Sequence, residues 1–142
     1  MLVLVQATVM TVGLSGRNKA LRELPIRLMK MQSGTEAARS LKNENVDSVI
    51  SKWDLEDMDN GQFLENFRAV KPDIPTIVFI KAGDEQQEIA ARSLGVSAVL
   101  TDESDDELFR QTVANVLGLK RLISINTVAP TQEKKRYQNI VK

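Results

Sequence analysis

The densest chemical functionality in the chain lies in Lys52-Trp53-Asp54-Leu55-Glu56-Asp57-Met58-Asp59. Carboxylates crowded this closely are raw material for a divalent-cation site. A calcium loop, however, needs oxygen donors at alternate positions and a glycine in the sixth, and neither a start at Asp54 nor one at Asp57 meets that pattern. The expectation is a solvated acidic loop, with no metal and no cofactor. A second candidate is Gly13-Leu14-Ser15-Gly16-Arg17-Asn18-Lys19, where backbone N–H groups, a hydroxyl and two cations could meet an anion such as a nucleotide phosphate. It has neither the Gly-Lys-Ser/Thr of a Walker loop nor the Gly-x-Gly-x-x-Gly fingerprint, so Gly13, Ser15, Gly16 and Arg17 form a weak anion candidate beside the plainer reading of a tight turn. Trp53 reads either as a partner anchor or as a lid on a pocket mouth.

Composition excludes much other chemistry. The chain of 142 residues contains no histidine and no cysteine, which removes disulfides, the usual zinc ligands and the near-neutral proton shuttle. No enzymatic activity is expected. Its 19 basic and 19 acidic residues cancel, so no overall field recommends nucleic acid or an anionic membrane. The basic cluster Lys134-Lys135-Arg136-Tyr137 accordingly reads as soluble linker. The apolar opening is interrupted by Gln6, Thr8 and Thr11 and lacks the features of a membrane span or a secretory leader, so a cytoplasmic location is the expectation.

Strands alternating with helices must position these residues. Thr8 to Gly13 reads as a first strand, with Leu2 to Val5 extending it or pairing at an edge. Arg17 to Leu24 reads as a short helix stopped by Pro25, and Ile26 to Met31 as a second strand. Ser33-Gly34-Thr35-Glu36 has capping-box spacing and opens a helix that buries Ala37, Ala38 and Leu41. Val46 to Ser51 is a third strand, breaking at Lys52-Trp53. Beyond the acidic loop a helix opens near Asn60-Gly61, places Phe63, Leu64, Phe67 and Val70 on one face and ends at Lys71-Pro72. Ile77 to Ile80 is an apolar strand of the kind covered on both faces. Asp84 to Leu94 reads as a helix with Ile89, Ala90 and Leu94 inward and Gly95 as its left-handed cap. Ala98 to Thr101 is a fifth strand. A second box at Ser104 to Glu107 opens a last helix with Leu108, Phe109, Val113, Val116 and Leu117 on its apolar stripe. Five strands and five helices in this order predict an α/β domain with a parallel sheet covered on both faces. Residues 1–118 form that domain, and 119–142 read as a linker or tail.

From Gly34 to Gly118 this phrasing resembles the receiver domain of bacterial two-component response regulators. Asp47-Ser48-Val49-Ile50-Ser51 is similar to the strand that carries the family's phosphoacceptor, and Asp73 to Ile80 to its fourth strand. Leu94 to Glu107 follows the family's final strand and acidic helix start without a gap. The resemblance implies a flavodoxin-like (CheY-like) doubly wound sheet in the order 2-1-3-4-5. It also implies a phosphoacceptor Asp, an acidic pair for Mg²⁺ after the first strand, a Thr or Ser on the fourth and a Lys on the fifth. Carried over by position, the acceptor falls on Lys52, the Thr/Ser on Ile80, the Lys on Asp102, the following Pro on Glu103 and an aromatic switch on Val99. The acidic pair falls at Gln6-Ala7-Thr8 or at Gly13-Leu14-Ser15, and neither segment holds a carboxylate.

An ammonium at position 52 cannot form an acyl phosphate, and its charge opposes the metal that phosphoryl transfer needs. The expectation is a pseudo-receiver, a phosphorylation-independent interaction module in two-component signalling. Asp54 as a displaced acceptor is a minor alternative, and a small anion or nucleotide bound at Gly13 to Lys19 is the alternative function. Lys52 facing Asp102 either forms a sign-exchanged ion pair or is one of two separate exposed residues. The expected partner is another protein or a fused output domain, with a homodimer through the face from Asp84 to Leu117 as one form.

Overall fold

Apolar side chains fall on both sides of the central strands, and this double burial dictates the layers. The computed structural model describes residues 6–118. Five strands, β1 (Ala7–Val12), β2 (Ile26–Met31), β3 (Ser48–Lys52), β4 (Thr76–Ile80) and β5 (Ala98–Thr101), form one parallel sheet in the order β2-β1-β3-β4-β5. The helices are α1 (Gly34–Leu41), α2 (Gln62–Val70), α3 (Glu85–Ser93) and α4 (Asp106–Leu117), with a single 3-10 turn at Asn18–Leu21. The strand order is the expected one. The proposed strand extension at Leu2 to Val5 and the tail at 119–142 lie outside the described residues.

Alternate residues along each strand serve opposite cores. Met10, Val12, Val49, Val78 and Ile80 point to the side covered by α1, α2 and α3, where Trp53, Phe63, Leu64 and Phe67 join them. Val9, Ile50, Ile77 and Phe79 point to the other side, beneath the 3-10 turn and α4, with Leu21, Phe109 and Val113.

The structure corrects several expectations. The crossover helix from Arg17 to Leu24 is only the four-residue 3-10 turn. Pro25 closes the segment at its far end, and the single tighter turn suffices to bury Ala20 and Leu21. β3 begins at Ser48 and includes Lys52 as its last residue. Four residues expected to be buried on their helices face solvent instead: Ala38 is exposed, and Val70, Ile89 and Leu108 are 73%, 63% and 46% exposed. Each lies at the margin of a short helix whose apolar arc is narrower than its sequence suggests, and Ala91 is the buried residue of α3.

The caps differ in detail as well. Ser33 does accept from the Glu36 N–H, but the Glu36 carboxylate receives the Gln32 N–H, one residue ahead of the cap. At α4 the cap is Asp105, which accepts from the Leu108 N–H. Ser104 instead accepts from the Thr101 N–H and tightens the turn after β5.

Trp53 is buried, 7% exposed, so it is neither a free anchor nor an open lid. Its ring lies against Gly61, which has φ +72° and whose N–H donates to the Trp53 carbonyl. A Cβ at Gly61 would overlap the indole. Gly61→Ala is therefore expected to destabilise the domain by about 2–4 kcal/mol through backbone strain and overpacking. Urea denaturation followed by tryptophan fluorescence measures it, and a loss of a few tenths of a kcal/mol contradicts this packing.

Candidate functional site

In an open parallel sheet, ligands and chemistry collect at the carboxyl ends of the strands, near the point where successive crossovers change sides. Here that point lies between β1 and β3, where Val12 is in register with Ser51. Gly13 follows β1, and Lys52 ends β3 and is exposed. They share a cleft of about 290 Å³ with Ser15, Gln32, Asp54, Leu55 and Glu56.

The two segments on which the family's acidic pair would fall lie at opposite ends of β1. Ala7 and Thr8 open β1 at the far end of the strand, whereas Gly13 and Leu14 leave its carboxyl end. Leu14 is buried in the core. Gly13 has φ +74°, and a Cβ there would stand 2.7 Å from Leu55 Cδ2 and 3.6 Å from Lys52 Cδ. The space a side chain would need is filled by Leu55 and the lysine stem. Ile80, at the end of β4, is 5% exposed and packs in the core. Val99 is half-buried in β5.

Lys52 and Asp102 form no ion pair. The salt bridges among the described residues are Arg17–Asp106, Arg92–Glu88 and Arg110–Glu107. Asp102 instead accepts the Ala82 N–H at 3.0 Å, tying the turn after β5 to the loop after β4. The reason is competition. A surface ion pair gains about 0–1 kcal/mol, so a charge-assisted bond to a nearby backbone N–H together with a hydrated ammonium is at least as favourable.

Asp54 takes part in a similar tie. It accepts from the Asn60 N–H at 2.7 Å and from Gln87 Nε2 at 3.0 Å, while Gln87 Oε1 accepts the Lys81 N–H at 2.9 Å. Gln87 thus joins the loop after β3 to the loop after β4. Sequence reasoning missed it, although Asp84-Glu85-Gln86-Gln87 has the cap-and-N3 spacing that marks a side chain reaching back, and Asp84 does accept from the Gln87 N–H.

The weak anion candidate loses its principal cation. Arg17 donates through Nη2 to the Ser104 carbonyl at 2.6 Å and lies 3.6 Å from the Asp106 carboxylate. Its guanidinium sits 5.1 Å from the Phe79 ring centre and 5.7 Å from that of Phe109. It is a strut between the first crossover and α4, and its charge is engaged within the fold. Ser15 and Gly16 stay exposed.

The acidic loop is not simply solvated. Asp57 accepts from the Gly34 N–H at 2.9 Å, the Thr35 N–H at 2.8 Å and Thr35 Oγ1 at 2.6 Å, closing the amino end of α1 from a distant loop. The Thr35 hydroxyl, then the two N–H groups, lower its carboxyl from the ordinary 3.8 to about 2. Among the described residues no group of three or more Asp, Glu, His or Cys side chains is arranged to hold a metal ion.

Comparison with known proteins matches residues 12–114 to the response regulator receiver domain family. The transcriptional regulatory protein GlrR of Escherichia coli K12 is 33% identical over 86 residues, covering 61% of this chain and 19% of that protein. The chain thus matches about a fifth of that relative's length. A chemotaxis protein CheY homolog of Campylobacter jejuni is 27% identical over 94 residues, 64% of this chain and 72% of that protein. The solved structure of a response regulator receiver domain protein from Methanospirillum hungatei JF-1 superposes with a TM-score of 0.72 at 13% identity, covering 82% of this chain and 98% of that one. At that identity the likeness concerns the fold.

Because the folded Asp57 carboxyl is more acidic than the unfolded one, its contribution to stability is complete above the ordinary 3.8 and is lost as pH falls toward about 2. Asp57→Asn should melt below the native chain at neutral pH, and the gap should close between those two values. Thermal melts followed by circular dichroism test this. A gap that does not change with pH rules out the ionised cap.

Proposed function

Since the chain belongs to the response regulator receiver domain family, we propose that it acts as a phosphorylation-independent pseudo-receiver, a protein-interaction module in two-component signalling that is not itself an enzyme. The observation that carries this is Lys52 at the end of β3, in a cleft it shares with Gly13. By the family resemblance that position is the phosphoacceptor, and an amine there cannot form an acyl phosphate.

The Mg²⁺ used in the family's phosphoryl transfer does not fit the residues present. Gly13 and Leu14 supply no carboxylate, Leu55 fills the space beside Gly13, and both Asp54 carboxylate oxygens accept protein N–H groups. Asp54 is therefore a poor displaced acceptor. The bonds from Asp102 to Ala82 and from Gln87 to Lys81 further support one fixed arrangement of the loop after β4.

A fixed module acts through its surface. Ile89 on α3 and Leu108 on α4 are exposed apolar side chains on the face from Asp84 to Leu117, which supports that face as the contact for a protein partner, a fused output domain or a second copy. No helix among the described residues is long and apolar enough to cross a membrane.

Incubation with acetyl phosphate and Mg²⁺ is expected to leave the intact mass unchanged, both in the native chain and in Lys52→Asp, which restores an acceptor without its metal site. A phosphoryl adduct on the native chain overturns the proposal. Sedimentation equilibrium tests the face: self-association should be lost in the Ile89→Glu/Leu108→Glu variant with its melting temperature kept. A native chain that stays monomeric at the highest attainable concentration excludes the homodimer.

A further inference from the structure

Lys19, Arg22 and Lys30 line one groove of about 430 Å³, and no carboxylate lines it with them. None of the three belongs to a salt bridge among the described residues. The groove exists because the first crossover makes one 3-10 turn rather than a helix. The turn covers Val9 and Ile50 through Leu21 but leaves Leu28 of β2, on the same side of the sheet, half-buried in the groove. The nearest acid from α1, Glu36, accepts the Gln32 N–H at 2.9 Å.

Like charges gathered around one concavity repel unless a counter-charge enters, and in a chain of zero net charge their clustering is local. The loop adds donors. Ser15 and Gly16 line the groove, and their backbone N–H groups donate to no acceptor among the described residues. Cations and N–H groups call for negatively charged oxygens, and the half-buried Leu28 beside them leaves apolar surface for the body that carries those oxygens.

We propose that this groove binds a small phosphate-bearing molecule, its phosphates held by Lys19, Arg22 and Lys30 and its body lying over Leu28. The groove shares Ser15, Gly16 and Lys19 with the loop candidate but not Arg17, whose guanidinium is held by Ser104 and Asp106; Arg22 and Lys30 supply its other cations. It goes beyond the pseudo-receiver reading and does not depend on the fate of Lys52.

Isothermal titration of the full chain with inorganic pyrophosphate and with ADP, each against chloride at matched ionic strength, tests it. Both probes should bind, and Lys19→Ala/Lys30→Ala should weaken them by about tenfold or more. Both side chains are exposed, so the variant should keep the native melting temperature. The control Lys42→Ala/Lys71→Ala, outside the groove, should bind as the native chain does. Tighter binding of ADP identifies an organic phosphate as the ligand, and equal binding an inorganic one. Absence of binding by both probes, or equal affinity in the native chain and the groove variant, overturns the proposal.

Discussion

One guanidinium closes the second face of the sheet. A parallel sheet must be covered on both sides, yet the connection from β1 to β2 makes a single 3-10 turn in place of the helix that this position would ordinarily receive. Ala20 and Leu21 cover part of the gap, and Arg17 spans the remainder. Its plane lies near Phe79 and Phe109, which themselves meet edge to face at 4.9 Å, while its N–H groups reach the turn before α4. Arg110 returns the connection, donating from Nε to the Ala20 carbonyl at 3.0 Å. The two arginines dock the 3-10 turn against α4 with polar bonds at the rim and aromatic contact beneath. A lysine could supply neither the planar stacking nor the fork of donors.

That substitution of a strut for a helix has opposite effects on the two sides of the loop. Toward the core it consumes Arg17, so the glycine turn has little charge left to offer an anion. Toward β2 it leaves a depression in which Lys19, Arg22 and Lys30 stand without acidic partners. A full helix on this side would have covered Leu28. The same short turn thus removes one candidate site and opens another.

At the carboxyl edge the charged groups satisfy backbone rather than one another. Asp54, Asp57 and Asp102 each accept at least one main-chain N–H from a neighbouring turn or loop, and Gln87 both donates and accepts. Orphan N–H groups at loops and helix starts are fixed in space and costly to leave unpaired, whereas a lysine ammonium at the surface is well solvated. The carboxylates therefore settle on the loops, and Lys52 lines an open cleft without an ion-pair partner among the described residues. The result is a set of loops held to each other at the carboxyl edge of the sheet.

The continuous apolar run of Ile77 to Ile80, β-branched residues in β1 and β3, and the glycine after α3 made the strands and most boundaries legible from local pattern, and the family resemblance implied their order. That Lys52, Ile80 and Asp102 take the positions of the family's site residues is what the resemblance implies, and the strand pattern alone places them only at or just beyond the ends of β3, β4 and β5. Which charges meet was not legible. Asp57 caps a helix 22 residues earlier in the chain through Thr35, and Arg17 reaches a carbonyl 87 residues later. Periodicity carries no information about partners that far apart. Nor did it reveal that Val70, Ile89 and Leu108 lie outside the buried arc, because the width of that arc depends on how each short helix sits on the sheet. Local sequence determined the elements and the chemistry each one carries. The tertiary structure decided which polar groups satisfy one another, because that depends on distances set only when both faces of the sheet are packed.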